Sequence, residues 1–235
     1  QDISRNVYND PEKDFLIAYF AASEKESPPL PGTILNLPVL DATLLMQFVD
    51  IQSDLREAKT FFQERRYDEA VAAARKILVH DPTNSAAREL TRDSYCKKAS
   101  ALFRKRKYEE AITVAETLLA FEPTDLKASD LINASYYKMG TLLTYKQKYS
   151  EALNMYNKVA PDYHDVQKTI ADLQEIMVQE AEEHYRMGVK FFVNDKFAEA
   201  IEEWEKALAL NPDHKKAKSD VESTRSLLER LENLK

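Results

Sequence analysis

Glycine is nearly absent from this chain, with three residues among 235. Glycine supplies the positive-φ turns of tight β-hairpins and the close backbone approach of phosphate-binding loops. Such scarcity excludes a glycine-rich nucleotide loop and argues against a fold rich in β-structure. Cysteine occurs once, as Cys96, so an internal disulfide and a zinc site built from cysteines are excluded as well.

Long apolar runs and an excess of positive charge are also missing. No stretch approaches the roughly 18 apolar residues of a membrane span, so we expect no transmembrane segment. The formal net charge is −7, whereas a nucleic-acid binder needs clustered lysine and arginine to neutralise phosphates. We therefore expect no nucleic-acid partner. The chain is 44% hydrophobic and 31% charged, which suits amphipathic helices with one wet face.

One short pattern occurs four times: an aromatic residue, two further residues, then alanine. The copies are Tyr67–Ala70, Tyr108–Ala111, Tyr149–Ala152 and Phe197–Ala200. Proline follows three of these alanines twelve residues later (Pro82, Pro123 and Pro212), and the third copy has Pro161 nine residues on. This arrangement resembles the tetratricopeptide repeat family, in which each repeat is a pair of antiparallel helices, A and B. The resemblance implies an all-α solenoid of helical hairpins.

The resemblance also gives each repeated residue a physical role. The alanines let helix B approach helix A closely, the aromatic residue fills the turn, and proline ends helix B because it lacks a backbone donor. Small residues recur at the matching position of helix A, namely Ala58, Ala99, Gly140 and Gly188.

The repeats are longer than the 34 residues usual for the family. The alanines lie 41, 41 and 48 residues apart, so the excess comes in multiples of seven, about two helical turns. We predict elongated A helices near 84–106, 125–147 and 163–194, and a first one from about 41 to 65. Four hairpins then span residues 41–213, and residues 214–235 form a solvent-facing capping helix.

Residues 1–40 differ in pattern from the rest. Their matching elements are Ile3-Ser4-Arg5, Val7-Tyr8, Asp10-Pro11, Leu16-Ile17-Ala18 and Pro31-Gly32-Thr33. They resemble the LysM family, a small α+β module that binds N-acetylglucosamine-containing glycans such as peptidoglycan. The match lacks the first strand of that module. The resemblance places one wall of a glycan groove at Ser27, Pro28, Leu30 and Pro31, while the alternative is a helical cap on the solenoid.

A partner-binding groove is implied on the inner face of the A helices. In this sequence, the positions that form the inner face of helix A in the family are Leu55, Lys59, Phe62, Cys96, Ser100, Phe103, Tyr137, Thr141, Thr144, Tyr185, Val189 and Phe192. An aromatic-rich concave surface favours binding of a peptide or a helix. The alternative is that these rings pack on one another inside the array. Lys59 alone fits the cation set with which chaperone-binding relatives hold a terminal carboxylate, so we do not predict that activity.

Charges separate between the two edges of the predicted array. The A-to-B turns are basic (Arg65, Arg66, Arg104–Lys107, Lys146 and Lys148), and the B-to-A turns are acidic (Asp81, Glu122, Asp125, Asp162, Asp165 and Asp213). Compensation of the helix dipoles explains this pattern. The alternative is that the basic edge docks on an anionic surface, such as a phospholipid leaflet or an acidic protein.

Residues with catalytic or metal-binding spacing are not recognisable. The histidines are dispersed and lack a metal-binding motif, and no acid–base pair stands out. We expect no enzyme activity and no cofactor. The prediction is a protein-interaction scaffold of the bacterial cell envelope, tethered to peptidoglycan through residues 1–40. The alternatives are a cytoplasmic tetratricopeptide adaptor and a self-assembling structural solenoid.

Overall fold

The computed structural model describes residues 42–233. The LysM-like segment and its glycan-binding residues Ser27, Pro28, Leu30 and Pro31 lie outside that range. The described residues form nine helices and no strand: α1 (Ala42–Gln63), α2 (Tyr67–His80), α3 (Ser85–Arg104), α4 (Tyr108–Phe121), α5 (Leu126–Tyr145), α6 (Tyr149–Tyr156), α7 (Val166–Val193), α8 (Phe197–Leu210) and α9 (Lys215–Glu232). The chain divides into two units, residues 1–53 and 54–235, and the cores and sites below lie in the second.

The A helices are long, and the B helices are shorter. Helices α3 and α5 have 20 residues and α7 has 28, whereas α2, α4 and α8 have 14 each. The extra heptads of the sequence therefore lie in the A helices. Helix α7 begins at Val166, three residues after the predicted start, because Tyr163 and His164 belong to the preceding turn. None of the helices in the described part of the chain is both long and apolar enough to cross a membrane.

Each A-to-B turn is the same helix-terminating motif. In the first, Arg66 N–H donates to Phe61 O at 2.9 Å and Arg65 N–H to Phe62 O at 3.1 Å, the two bonds of a Schellman motif. This motif places one residue in the left-handed region, where glycine is usual. Here that residue is never glycine: the four positions are Arg65, Arg106, Gln147 and Asp195, with φ of 63°, 61°, 58° and 58°.

Three of the B-to-A turns start the next helix with a side-chain cap, whereas Asp165 before α7 forms no such hydrogen bond. Asn84 accepts a hydrogen bond from Ala87 N–H at 3.1 Å, and Asp125 accepts one from Ala128 N–H at 2.9 Å. His214 takes the equivalent position before α9, where its Nδ1 accepts from Ala217 N–H at 3.1 Å. The Nε2 of His214 lies 3.3 Å from Glu182 on α7. The imidazole thus joins the start of α9 to the preceding A helix.

Among the described residues, three apolar cores follow one another from Val71 to Val221. The first joins α2 to α5 through Ala99, Leu118 and neighbouring residues. The second lies between α5, α6 and the first half of α7, around Tyr156 and Leu173. The third packs the second half of α7 against α8 and α9, around Trp204. Helix α7 therefore contributes to two cores in succession, because it has 14 residues more than a 14-residue B helix and is about 21 Å longer.

Helix α9 has one buried face and is otherwise exposed to solvent. Its Ala217 and Val221 are buried in the third core, while Leu227 and Leu231 further along are exposed. The helix that was predicted to face solvent therefore buries one stripe against α8, as an amphipathic helix does.

Candidate functional site

The three phenylalanines of the predicted groove lie at the A-to-B turns. Phe62 meets Tyr67 edge to face with ring centroids 5.8 Å apart, and Phe103 meets Tyr108 at 5.3 Å. Phe192 meets Phe197 in the same way at 5.3 Å. Each pair joins the end of an A helix to the start of its B helix, so the edge-to-face contact stabilises the turn between them. Thr144 takes this position in the third repeat, and its hydroxyl donates to Gly140 O at 3.0 Å.

The two groove tyrosines also make internal contacts. Tyr137 donates its hydroxyl to Asp165 Oδ1 at 3.1 Å, and its ring packs on Tyr156 at 5.4 Å. Tyr185 donates to Asp220 Oδ2 at 2.9 Å on α9. Burial, together with that hydrogen bond and the nearby carboxylates, raises the pKa of Tyr185 to about 12. For these two residues the structure therefore favours the internal packing that the sequence left as an alternative.

The remaining groove residues divide by exposure. Leu55, Cys96 and Ser100 are half-buried, whereas Lys59 and Thr141 are exposed. Cys96 packs against the first core, and burial raises the pKa of its thiol, so the reactive thiolate is disfavoured. Within residues 42–233 no group of three or more histidine, cysteine or acidic side chains is arranged to hold a metal ion.

Helix α7 keeps an apolar stripe in solvent beside its buried face. Val178 is 54% exposed and Val193 is 75% exposed, and both lie on the helix face that carries Tyr185 and Val189. Phe192 is 37% exposed at the end of the same face. We call Val178, Val189, Phe192 and Val193 the α7 stripe. Two members, Val178 and Val193, were not predicted from the sequence. They lie seven residues before Tyr185 and eight after it, so helical spacing alone was enough to find them.

The family models that match this chain cover parts of its repeat region. Two family models described as tetratricopeptide repeat match residues 55–125 and 181–214. Residues 126–180, with α5, the short α6 and the first half of α7, fall between these matches. No curated protein matches the chain.

Three examples represent the solved structures that are similar to this chain. The TPR2AB-domain:pHSP90 complex of yeast Sti1 is 16% identical, covering 76% of this chain and 70% of that one, with a TM-score of 0.25. MamA AMB-1 is 18% identical, covering 80% and 92%, with a TM-score of 0.22. TTC0263, a thermophilic TPR protein of Thermus thermophilus, is 16% identical, covering 74% and 98%, with a TM-score of 0.23.

Proposed function

Because the chain contains tetratricopeptide repeats, as its sequence predicts, we propose that it is a non-enzymatic scaffold that binds a segment of a partner protein. The observation that supports this most is the α7 stripe. Its valines stay in solvent although the same helix has already buried one face in two cores. An apolar stripe at helical spacing offers the row of contacts that an amphipathic partner helix uses.

Internal contacts narrow the predicted groove to the part that is free for a partner. Tyr137 and Tyr185 have their hydroxyls satisfied by aspartates of the array itself. The predicted groove residues that remain exposed are Lys59, Thr141, Val189 and Phe192, and the α7 stripe supplies the apolar part of this surface. Apolar and aromatic anchors of this kind contribute most of the binding energy in protein interfaces.

Photo-cross-linking in the living cell tests this proposal directly. A benzoylphenylalanine at position 189 faces along the stripe, while the same residue at position 190 lies about 100° away on the exposed side of α7. We expect a discrete cross-linked product from position 189 that mass spectrometry identifies as a protein, and none from 190. The same products at both positions, or none at 189, would refute the stripe as a binding surface.

The location of the scaffold is a second part of the proposal. We propose that it works in the bacterial cell envelope, held on peptidoglycan through the LysM-like residues 1–40. This part rests on the resemblance of Pro31-Gly32-Thr33 and its neighbours to the LysM family. Co-sedimentation with purified sacculi tests it, comparing the full chain with residues 41–235. Pelleting of the full chain alone supports the tether. If neither pellets, the tether is wrong and the adaptor alternative stands.

A further inference from the structure

A cleft of about 730 Å³ opens beside the first two A-to-B turns. It is bounded by the end of α1, the start of α2 and the second half of α3. Its apolar lining includes Phe62, Tyr67, Ala101 and Leu102. Its charged lining is Arg65, Arg66, Asp68, Glu69, Lys97, Lys98, Arg104 and Lys105. Six cations thus face two carboxylates in a chain whose net charge is −7.

The two carboxylates of the cleft are already paired. Lys98 Nζ lies 2.6 Å from Asp68 Oδ1, and Arg66 Nε lies 3.1 Å from Glu69 Oε1. Arg66 also pairs with Glu64 at 3.1 Å. These pairs involve Arg66 and Lys98. The remaining positive charge of the cleft is carried by four other side chains: Arg65, Lys97, Arg104 and Lys105.

Those four cations have no acidic partner in the described part of the chain. Arg104 Nε donates only to the carbonyl of Ser100, at 3.3 Å. Arg65, Lys97 and Lys105 form no ion pair among residues 42–233. Arg65 is the left-handed residue of its turn, where an arginine has no conformational advantage over glycine. Helix-dipole compensation explains charges in the first or last turn of a helix. It does not explain Lys97, which lies two turns before the C-terminal end of α3.

The equivalent space between the second and third repeats is different. A cleft of about 290 Å³ lies there, lined by Arg106, Lys107, Glu109, Glu110 and two apolar residues. Counting 41 residues on, Arg65, Lys97 and Lys105 correspond to Arg106, Lys138 and Lys146, whereas Arg104 corresponds to Tyr145 and Lys98 to Met139. Basic residues therefore recur at three of the four positions, but Lys138 and Lys146 do not line the smaller cleft. The larger cleft differs by the presence of Arg104 and by a volume that brings four unpaired cations together.

We propose that this cleft, bounded by Arg65, Lys97, Arg104 and Lys105, binds an acidic peptide segment of the scaffold's partner. Unpaired cations above an apolar floor suit an extended chain that alternates carboxylates with small side chains, because each carboxylate forms charge-assisted hydrogen bonds. The proposal extends the scaffold function to a second surface, distinct from the α7 stripe, and rests on that function.

A peptide is favoured over the other anionic surfaces by the distribution of charge. The net charge of −7 repels every anionic partner within a Debye length, about 8–10 Å in ordinary buffers, and this repulsion grows with the partner's own charge, so it is larger for a phospholipid leaflet or a second copy of the chain than for a short peptide. A peptide that enters the cleft experiences mainly the local field of the nearby cations. The acidic B-to-A edge of another copy and an anionic membrane are therefore outcomes that the test must separate from the peptide.

Fluorescence anisotropy with a defined probe tests the proposal. The probe is a fluorescein-labelled octapeptide of alternating serine and glutamate, and its neutral counterpart has glutamine in place of glutamate. The variant is Lys97→Gln with Lys105→Gln in the full chain. The matched control is Lys216→Gln with Lys218→Gln, two exposed lysines of α9 with the same change in net charge. Thermal unfolding checks that both variants stay folded.

We expect the acidic probe to bind the wild type and the α9 control, and to bind the cleft variant about tenfold more weakly. Binding is also expected to fall as NaCl rises from about 50 mM to about 200 mM. Equal binding of the neutral probe, or equal weakening in the α9 control, would overturn the proposal.

Two further measurements separate the competing occupants. Flotation with phosphatidylserine-containing vesicles that depends on Lys97 and Lys105, without probe binding, would assign the cleft to a membrane instead. Sedimentation showing a dimer that the same variant dissociates would assign it to a second copy. Position 189 lies outside the cleft. The cross-linking experiment therefore tests the scaffold function, and the probe experiment tests the peptide-binding cleft. A failure of one does not imply a failure of the other.

Discussion

Gly188 of α7 lies directly against the indole ring of Trp204 in α8. A Cβ atom at position 188 would be 2.3 Å from Trp204 Nε1, far inside van der Waals contact. The ring has little freedom to move away, because Nε1 donates to Tyr185 O at 3.1 Å and the side chain is 2% exposed. Gly140 stands in the same relation to Tyr156, with 2.7 Å to the nearest ring carbon.

The second repeat forms the same contact with two small residues. The positions of Gly140 and Tyr156 correspond to Ala99 and Ala115 in that repeat, both of which are buried. Where helix A carries alanine, helix B carries alanine, and where helix A carries glycine, helix B carries a large ring. Close-packed helices leave no space for a Cβ atom on helix A together with a large ring on helix B, and this explains the two combinations.

Gly188→Ala is expected to destabilise the chain by about 1–3 kcal/mol through overpacking. A loss of stability would point to the contact with Trp204, because Gly→Ala inside a helix normally stabilises by roughly 0.5–1 kcal/mol. Urea unfolding measures the difference in the free energy of unfolding. In a Trp204→Ala background the same substitution should lose its penalty. A penalty that persists without the indole would show that the ring is not its cause.

Ser94→Ala is expected to raise the free energy of unfolding by about 1 kcal/mol. Ser94 Oγ is fully buried and has no hydrogen-bond partner among the described residues, so its hydroxyl carries an uncompensated desolvation cost. The matched control is Ser135, the residue 41 positions on, whose hydroxyl donates to Leu131 O at 2.7 Å. Ser135→Ala should lower the free energy of unfolding by up to about 1 kcal/mol. Equal effects of the two substitutions in urea unfolding would contradict this account.

Gln147→Gly is expected to stabilise the third A-to-B turn by about 1 kcal/mol, because Gln147 has φ of 58° and glycine adopts this region without steric cost. The same substitution at Lys138, an exposed position inside α5, should instead destabilise by about 1 kcal/mol. Thermal unfolding of the two variants gives opposite shifts in Tm if this is correct. A loss of stability with Gln147→Gly would mean that the glutamine side chain contributes more than its backbone strain costs.

Tyr185→Phe should show a stability difference that disappears at high pH. The pKa of Tyr185 is raised from 10.0 to about 12, so the folded state favours the protonated phenol. That contribution is fully present below pH 10 and is lost as pH rises through about 12. Urea unfolding of the wild type and of the phenylalanine variant, measured across this range, should give curves that converge. Tyr145→Phe is the control, since that side chain is 88% exposed, and its curve should follow the wild type throughout.

Several features of this fold follow from local sequence chemistry alone. The four aromatic-x-x-Ala segments, the prolines twelve residues after three of them, and the spacings of 41, 41 and 48 predict the hairpins and the long A helices. The caps at Asn84 and Asp125 are equally local, because each acts on a backbone group three residues ahead. Helical period and capping depend only on neighbours along the chain, so they can be predicted without tertiary information.

Only the tertiary structure decided which residues the tyrosines of the predicted groove contact. Tyr137 reaches Asp165 across 28 residues and Tyr185 reaches Asp220 across 35, contacts that depend on how successive A helices stack. The cleft lined by Lys97 and Arg65 depends in the same way on two turns lying side by side. The helical period determines the face on which each residue lies, but contacts between helices depend on crossing angles and on volumes such as the Gly188–Trp204 pair, which only packing in three dimensions determines.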